Sequence, residues 1–239
     1  MEEVNEKQVA EYYDSYSDEL EQIGINIRHY TIFKKSVKAG LKRDHNVLEI
    51  GCGIGTYTKL MAKYMKRGSI LGVDISPESI AKAKKFVKHK NIDFMVSDMS
   101  DFKVDRKFDF IICPDVLEHI PIAQHRHLFE VFKAHSHENT IILIHIPHPL
   151  SIELMHRKAQ HRLQVIDQSL YSDKLLADVY ANGFYLHELI SYSMYDEQPD
   201  YQFITLYADK LYPEERPLSK MKIVKGKYMR RLYYMLKSL

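Results

Sequence analysis

The chain has 239 residues, of which 45% are hydrophobic and 28% charged, and a formal net charge of +2. These values are typical of a soluble protein with one large domain, or one domain with appendages, and argue against a disordered or membrane-spanning chain. The two cysteines, Cys52 and Cys113, lie in apolar, strand-like segments, and the polar N-terminus is unlike a signal peptide. Both features favour a cytoplasmic protein with reduced thiols over a disulfide-bonded secreted one.

Charge is unevenly distributed along the chain. From Arg216 onward there are eight Lys or Arg and no acidic residue, whereas the preceding residues hold 26 basic and 32 acidic side chains, a net charge of −6. We therefore divide the chain into a single domain at 1–212 and a basic tail at 213–239 with a separate role. A protein that binds nucleic acid would instead present one large basic face, so no nucleic-acid partner is predicted.

The elements before residue 150 follow a repeating pattern. Residues 1–43 are predicted to form a helical cap, because apolar residues in 26–41 recur near the helical period. Five apolar, strand-like runs then alternate with helices, and Ser76 and Pro77 mark the start of the second of these helices. Strands that alternate with helices predict parallel strands joined by right-handed crossovers, a doubly wound α/β sheet.

The later part of the chain departs from this alternation. After a helix around 173–181, two strand-like runs, "FYLHELISYS" and "YQFITLYADK", are separated only by the short polar segment 194–200. That spacing predicts a hairpin, so one of the two strands should be antiparallel. We therefore predict a Rossmann-like, doubly wound sheet of seven strands, mostly parallel with an antiparallel C-terminal hairpin.

A glycine turn follows the first strand, in the segment Glu49–Gly55, with the pattern G-x-G-x-G. Glycines at such a turn let backbone N–H groups approach a ligand closely. The nicotinamide pattern G-x-G-x-x-G fails here, because its third glycine would fall on Thr56 or Thr58. The chain also lacks the G-x-x-x-x-G-K-[ST] phosphate loop, so the turn indicates a different cofactor.

Acidic residues lie at the ends of the first three strands. Glu49 precedes the glycine turn, Asp74 ends the second strand, and Asp98 ends the third with Met99 beside it. In an open α/β sheet these carboxyl ends share the edge where ligands bind. Asp74 can accept two ribose hydroxyls and Asp98 an exocyclic amine, while a methionine covers a purine face. The acids would repel a pyrophosphate but suit a cofactor that carries a sulfonium and an ammonium.

Taken in order, "VLEIGCGIGTYT", "GVDIS", "VSDM" and "FDFIICPDVLEHI" resemble the successive motifs of the class I S-adenosylmethionine-dependent methyltransferases over roughly residues 45–150. The resemblance implies S-adenosyl-L-methionine as cofactor. It implies that the methionine moiety, the ribose, the adenine and the methyl group of the cofactor are bound at the ends of successive strands. It also implies that an aromatic residue and an arginine of the helical cap reach the cofactor or the substrate. The implied cofactor-binding residues are Tyr12, Arg28, Glu49, Gly51, Cys52, Gly53, Asp74, Ile75, Asp98, Met99, Cys113 and Pro114.

The residues after the fourth strand bear on the methyl acceptor. The segment from Cys113 to Val116 does not match the Asn/Asp-Pro-Pro-aromatic motif of enzymes that methylate the amines of nucleic-acid bases. A hydroxyl acceptor must lose a proton as it attacks, and histidine is the natural base near neutral pH. "LEHI" resembles the segment of small-molecule and sugar O-methyltransferases in which a histidine, paired with an acid or a second histidine, activates the acceptor. The predicted catalytic residues are His119, His148 and Glu118.

The histidines after the fifth strand leave alternatives open. His145 is expected inside the sheet, where a structural role is commoner, whereas His148 follows Pro147, which should end the strand and place it in a loop. Nine of the thirteen histidines fall within 119–161, but their spacing does not match that of a metal site, and no metal is predicted.

The segment 150–172 is longer than a simple connection and is predicted to be a lid over the acceptor, with a solvated amphipathic helix as the alternative. Candidate substrate contacts are His145, Asp115, His156, Arg157, Asp167 and Gln168.

The basic tail repeats apolar residues at helical spacing, with Lys and Arg largely on the other side. Such a helix can lie on an anionic membrane as a peripheral contact, dock on a partner or pack on its own domain. The predicted function is S-adenosylmethionine-dependent O-methylation of a small-molecule or sugar/glycan-precursor hydroxyl. The alternatives are a carboxylate, amine or quinone-type phenol acceptor, or a non-catalytic interaction subunit with the same fold.

Overall fold

The computed structural model describes residues 6–209 and 219–237. Its helices are α1 (Glu6–Ile23), α2 (Ile27–Ala39), α3 (Thr56–Tyr64), α4 (Pro77–Phe86), α5 (Ile122–Ala134), α6 (Pro149–Lys158), α7 (Ser172–Ala181) and α8 (Lys220–Lys237). Its strands are β1 (Asn46–Ile50), β2 (Ser69–Asp74), β3 (Ile92–Val96), β4 (Phe108–Pro114), β5 (Ser136–Pro147), β6 (Tyr185–Tyr192) and β7 (Tyr201–Tyr207).

The seven strands form one sheet in the order β3-β2-β1-β4-β5-β7-β6. The pairs among β1 to β5 are parallel, and β7 runs antiparallel to both β5 and β6. The predicted fold, a Rossmann-like doubly wound sheet with an antiparallel C-terminal hairpin, is confirmed.

Both faces of the sheet are covered, which explains the continuous apolar runs of its central strands. On one face Phe129 and Phe132 of α5 pack with Val179 of α7. On the other, Ile32 of α2 packs with Met61 of α3. All five side chains have an exposed fraction of 1% or less, so α2, α3, α5 and α7 hold the strand ends in fixed positions.

The antiparallel direction of β7 brings the start of that strand to the carboxyl edge of the parallel strands. Tyr201, its first residue, is in register with Pro147, the last residue of β5. The predicted lid begins directly after this point as α6, and a 3₁₀ turn at Gln160–Arg162 follows. The helical cap, the lid and the β6–β7 connection therefore converge on one edge of the sheet.

The chain divides into two compact units, Met1–Asp209 and Lys210–Leu239, close to the boundary predicted at 212. The second unit contains α8, an exposed helix none of whose described side chains is buried. Arg216 and Leu239 of the predicted tail lie outside the described residues. In the part of the chain that the structure describes, no helix is both long and apolar enough to cross a membrane.

Candidate active site

A cavity of about 250 Å³ opens at the carboxyl ends of β1 to β4 and is covered by α1; we call it the inner cavity. Ten of the twelve predicted cofactor residues line it, namely Arg28, Glu49, Gly51, Cys52, Gly53, Asp74, Ile75, Asp98, Met99 and Pro114. Tyr12 and Cys113 do not. Cys113 is fully buried within β4, and Tyr12 stacks on Tyr16 at 5.8 Å.

The glycine turn forms one wall of the inner cavity. Gly51 has a φ of 67°, in the left-handed region that favours glycine. A Cβ at this position would come within 2.1 Å of Cγ2 of Val116. The backbone of β1 can therefore pass close to the segment after β4 only because residue 51 has no side chain.

Asp74 joins the two turns that flank the cavity. Its Oδ2 accepts a hydrogen bond from the N–H of Gly53 at 2.7 Å, and its Oδ1 accepts one from the N–H of Ser76 at 3.0 Å. Burial raises the pKa of Asp74, while these two backbone donors oppose that rise. The carboxylate is thus held by the backbone in a fixed orientation at the cavity wall.

Glu49 lies deeper, with an exposed fraction of 1%. Its Oε2 accepts a hydrogen bond from Oγ1 of Thr58 at 2.6 Å. Burial raises the pKa of Glu49 to about 8, against the effect of the Thr58 hydrogen bond. The charge of this carboxyl is therefore sensitive, near neutral pH, to the charge of a ligand beside it.

Helix α1 covers the inner cavity. Tyr13, Tyr16 and Leu20 lie on its cavity side, at helical spacing, whereas Tyr12 lies beside them on the next face. The carboxylate of Asp14 accepts hydrogen bonds from Oγ of Ser76 at 2.5 Å and from the N–H of Glu78 at 3.1 Å. The cap is thus tied to the start of α4.

A second cavity, of about 350 Å³, lies under α6; we call it the lid cavity. It shares Arg28, Asp115, His119 and Gln164 with the inner cavity. The rest of its wall comes mainly from the lid, with Ser151, Ile152, Leu154, Met155, Lys158, Ala159, Arg162 and Asp167, and from the β6–β7 connection, with Tyr195, Asp196 and Asp200. Glu118, Pro147 of β5 and Tyr201 of β7 complete it. A molecule in the lid cavity would meet one in the inner cavity at the shared residues.

His119 lies at this junction, in the 3₁₀ turn Leu117–His119. Its Nδ1 donates a hydrogen bond to the carbonyl oxygen of Ile166 at 2.5 Å, and Oδ1 of Asp167 lies 3.3 Å from the same nitrogen. This contact fixes the tautomer with the proton on Nδ1 and leaves Nε2 as the acceptor. Burial lowers the pKa of His119, although the Ile166 carbonyl and Asp167 oppose the effect, so the ring is neutral at pH 7.

Glu118 is the neighbouring acid, with an exposed fraction of 2%. Burial, and next the repulsion from Asp115, raise its pKa well above the usual value. Its Oε2 has no hydrogen-bond partner among the described residues, although a buried polar atom normally has one. The residue lines the lid cavity, although this oxygen itself has almost no exposed surface.

Asp115 organises a buried network beside the junction. Its Oδ2 is 3.2 Å from Nη1 of Arg28, and its Oδ1 accepts a hydrogen bond from Nδ1 of His145 at 2.6 Å. The other ring nitrogen of His145 lies 2.7 Å from the hydroxyl of Tyr192, and the ring stacks on Tyr201 at 4.7 Å. Arg28 is thereby positioned where both cavities meet.

The other predicted catalytic and substrate residues are more dispersed. His148 is the N-cap of α6, where its Nδ1 accepts a hydrogen bond from the N–H of Leu150 at 3.3 Å, and it lines neither of the two cavities described. His145 has no exposed surface. His156 contacts the carbonyl oxygen of Asp167 at 2.8 Å, and Arg157 is exposed outside both cavities.

Gln168, a predicted substrate contact, holds the turn that carries His119. It makes four hydrogen bonds to Glu118, Ile120 and Ile122, through both its backbone and its side-chain amide. Together with Ile166 and Asp167, it connects the lid segment to His119. Within the described residues, no group of three His, Cys, Asp or Glu is arranged to hold a metal ion.

Five tyrosines of the site were not predicted. Tyr13, Tyr16 and Tyr57 line the inner cavity, while Tyr195 and Tyr201 line the lid cavity. The positions of Tyr195 and Tyr201 could have been predicted from the hairpin. If β7 is antiparallel, its first residues must lie at the carboxyl edge of the parallel strands, beside the site.

The residues around the inner cavity fit the cofactor that the motifs imply. Four acids, Glu49, Asp74, Asp98 and Asp115, line it against one arginine, Arg28. That excess of negative charge suits a ligand with a sulfonium and an ammonium. Gly51, Gly53 and Glu49 would hold the methionine moiety and Asp74 the ribose, while the buried Met99 is beside Asp98 for a purine.

Comparisons with known proteins agree with this arrangement. A family model described as "Methyltransferase domain" matches residues 47–138 of this chain. The malonyl-[acyl-carrier protein] O-methyltransferase of Priestia megaterium is 31% identical over 103 residues, which are 43% of this chain and 36% of that protein. Nodulation protein S of Sinorhizobium fredii is 31% identical over 94 residues, which are 39% of this chain and 42% of that one. The matched segment thus spans only about two fifths of these relatives.

Among solved structures, the magnesium protoporphyrin IX methyltransferase of Synechocystis, determined with bound S-adenosylhomocysteine, superimposes with a TM-score of 0.66 at 15% identity. The superposition covers 85% of this chain and 99% of that one, and at this identity it shows a shared fold. The matched segment, the strand order and the motifs at the strand ends lead to one conclusion: residues 47–138 form a methyltransferase domain of the class I, S-adenosylmethionine-dependent type.

Proposed function

We propose that this protein transfers the methyl group of S-adenosylmethionine to a hydroxyl oxygen of a small molecule, a sugar or a glycan precursor. The observation that carries the proposal is the position of His119, a neutral histidine of fixed tautomer between the inner and lid cavities. The inner cavity would hold the cofactor, and the lid cavity would hold the acceptor.

The chemistry of the chain's own residues follows from this placement. The cofactor, when bound, supplies an electrophilic methyl group on sulfur. Nε2 of His119 takes the proton of the acceptor hydroxyl as the oxygen attacks, which is general-base catalysis. Asp167, 3.3 Å from Nδ1, stabilises the imidazolium that results, and the Ile166 carbonyl keeps the ring in place. Glu118, in the wall of the lid cavity, orients the acceptor through its carboxyl group, while α1 covers the inner cavity.

Two measurements test this function. Calorimetry with S-adenosylmethionine and S-adenosylhomocysteine should show that both bind. Incubation of the protein with ¹³C-methyl-labelled cofactor and a low-molecular-weight cell extract should give a labelled methoxy carbon in the NMR spectrum. Failure of both compounds to bind would contradict the proposal, and binding without any methyl transfer would favour a non-catalytic subunit instead.

A second candidate function is methylation of an amine, and one observation favours it. Besides Glu118, whose pKa is raised, the lid cavity is lined by four acids, Asp115, Asp167, Asp196 and Asp200, against three cations, Arg28, Lys158 and Arg162. An acidic wall suits a cationic amine acceptor. The labelled product separates the two functions, because a methyl carbon on nitrogen and one on oxygen give distinct NMR signals. A methyl ester or a methylated phenol would likewise identify the other acceptor classes.

Replacing Asp74 by asparagine should weaken the binding of S-adenosylmethionine. The amide keeps the shape but loses the charge and places an N–H₂ group towards the N–H donors of Gly53 or Ser76. Losing a hydrogen bond to a charged group costs about 1.5–3 kcal/mol, so the dissociation constant should rise about 10- to 150-fold. Calorimetry measures it, and the exposed Asp101→Asn serves as the matched control. Equal affinity of the two variants would remove Asp74 from the cofactor site.

The pH profile of turnover should report the base and its neighbour. His119 acts as a base when its ring is neutral, and burial lowers its pKa. As the pH is raised, kcat/KM should therefore increase at values below pH 6.5 and be constant by pH 7. The pKa of Glu118 is raised, so loss of its proton should lower kcat/KM only at a pH above the usual range of a glutamate. Steady-state kinetics from pH 5 to 9 measure both limbs. A rate that falls as the pH rises from 5 to 7 would contradict the assignment of His119 as base.

A further inference from the structure

Helix α8 has a feature that methyl transfer does not use, namely two faces of opposite chemistry. Met221, Val224, Tyr228, Leu232 and Met235 are spaced by three or four residues and therefore form one apolar stripe along the helix. Met229 and Leu236 flank this stripe. The seven side chains have exposed fractions between 49% for Leu232 and 84% for Met221.

The rest of the helix surface carries most of its cations, together with Ile223, Tyr233 and Tyr234. Lys220–Lys237 contains seven Lys or Arg and no acidic residue. Five of the seven cations, Lys220, Lys222, Lys227, Arg230 and Lys237, lie away from the apolar stripe, and Lys225 and Arg231 border it on either side. Because the helix has no acid of its own, it cannot neutralise these charges by ion pairs along its surface.

We propose that α8 lies in the surface plane of a membrane that contains anionic lipid. The apolar stripe would be buried at the boundary between headgroups and acyl chains, and the cations would contact lipid phosphates. A bilayer with anionic headgroups matches both sides of the helix, because its apolar layer can bury the stripe and its negatively charged surface can bind the cations. The helix is too highly charged to cross the bilayer, so the contact is peripheral.

The chain itself offers a sharp test, because it has no tryptophan. In the full-length protein, Tyr228→Trp places a single fluorophore in the apolar stripe, and Tyr234→Trp places one among the cations of the opposite side. With vesicles of phosphatidylcholine and phosphatidylglycerol, we expect Tyr228→Trp to show a blue-shifted emission that lipids brominated on their acyl chains quench. The matched variant Tyr234→Trp should show a much smaller shift and less quenching.

A second test measures how binding to vesicles depends on the charge of the lipid and of the helix. Binding should be absent or weak with vesicles of phosphatidylcholine alone, and added salt should lower it. Each cation near an anionic surface contributes roughly a fivefold gain in partition, so the double variant Lys227→Gln/Arg231→Gln should bind about 25-fold more weakly in vesicle sedimentation. Neither residue belongs to the active site, so calorimetry of that variant with S-adenosylmethionine should match the wild type and separate this proposal from the proposed function.

Several outcomes would overturn the proposal. These are no sedimentation with anionic vesicles, equal binding to neutral ones, or equal quenching of the two tryptophan variants. A Tyr228→Trp emission that is already blue-shifted without lipid would show that the stripe packs on this protein or on a second copy. A response to single-stranded RNA but not to vesicles would assign the helix to nucleic acid.

Discussion

Replacing His119 by alanine should lower turnover by about 10²–10⁴-fold, the usual contribution of a general base, while the affinity for S-adenosylmethionine stays nearly unchanged. The ring lies at the junction of the two cavities with Nε2 as the acceptor nitrogen, whereas the cofactor contacts lie on the other strand ends. His119→Asn is the sharper variant, because its side-chain N–H₂ can still donate to the Ile166 carbonyl while the basic nitrogen is gone. Single-turnover kinetics and calorimetry measure the two effects separately.

His148 provides the matched control, since it was an equally good candidate in the sequence. The structure places it at the N-cap of α6, where its loss removes one hydrogen bond to the N–H of Leu150. We expect His148→Ala to cost about 0.5–1 kcal/mol of stability and to change turnover by less than about twofold. A large loss of turnover in His148→Ala together with near-normal turnover in His119→Asn would reverse the assignment of the base.

The fold could be predicted well because its signals are local. The apolar strands, the caps such as Ser76 and the glycine turn each specify a short segment, and the alternation of strands and helices leaves few topologies. The acids Glu49, Asp74 and Asp98 could be grouped for the same reason, since the end of a parallel strand has only one possible location in such a sheet. Ten of the twelve predicted cofactor residues accordingly meet in the inner cavity.

The site residues that were not predicted reach the site only through packing between helices, strands and loops that are distant in sequence. Tyr12, Tyr13 and Tyr16 are close in sequence, and only the rotation of α1 against the sheet decides that Tyr13 and Tyr16 face the cavity. The roles of Ile166 and Gln168 also could not be predicted from the sequence, because they arise from contacts with a turn about 47 residues earlier in the chain. The lid was expected to contact the acceptor, and the structure adds that it also orients the predicted base.

The buried network around Asp115 should matter chiefly for stability. Asp115 faces both Arg28 and His145, so its replacement by alanine would leave the guanidinium without its counter-charge and the imidazole without its hydrogen-bond acceptor. Removing one partner of a buried pair costs about 3–5 kcal/mol. Because the Arg28 side chain keeps 29% exposure, we expect the lower end, about 3 kcal/mol, and a melting temperature lower by about 6–12 °C. Urea denaturation followed by circular dichroism measures the loss, and unchanged stability would show that the network contributes nothing.

Asp115→Asn separates the charge from the backbone conformation. Asp115 has a φ of 54°, which asparagine tolerates well and alanine does not. The asparagine variant should therefore lose only the charge-assisted part, about 1–2 kcal/mol. Burial opposes ionisation of Asp115, but His145 and Arg28 outweigh it and lower the pKa from 3.8 to about 2. A lowered pKa stabilises the folded state above the unfolded value, so the difference between wild type and Asp115→Asn should be full above about pH 4 and shrink as the pH falls toward 2. A difference that stays constant over this range would mean that the carboxylate charge is not what holds Arg28 and His145 together.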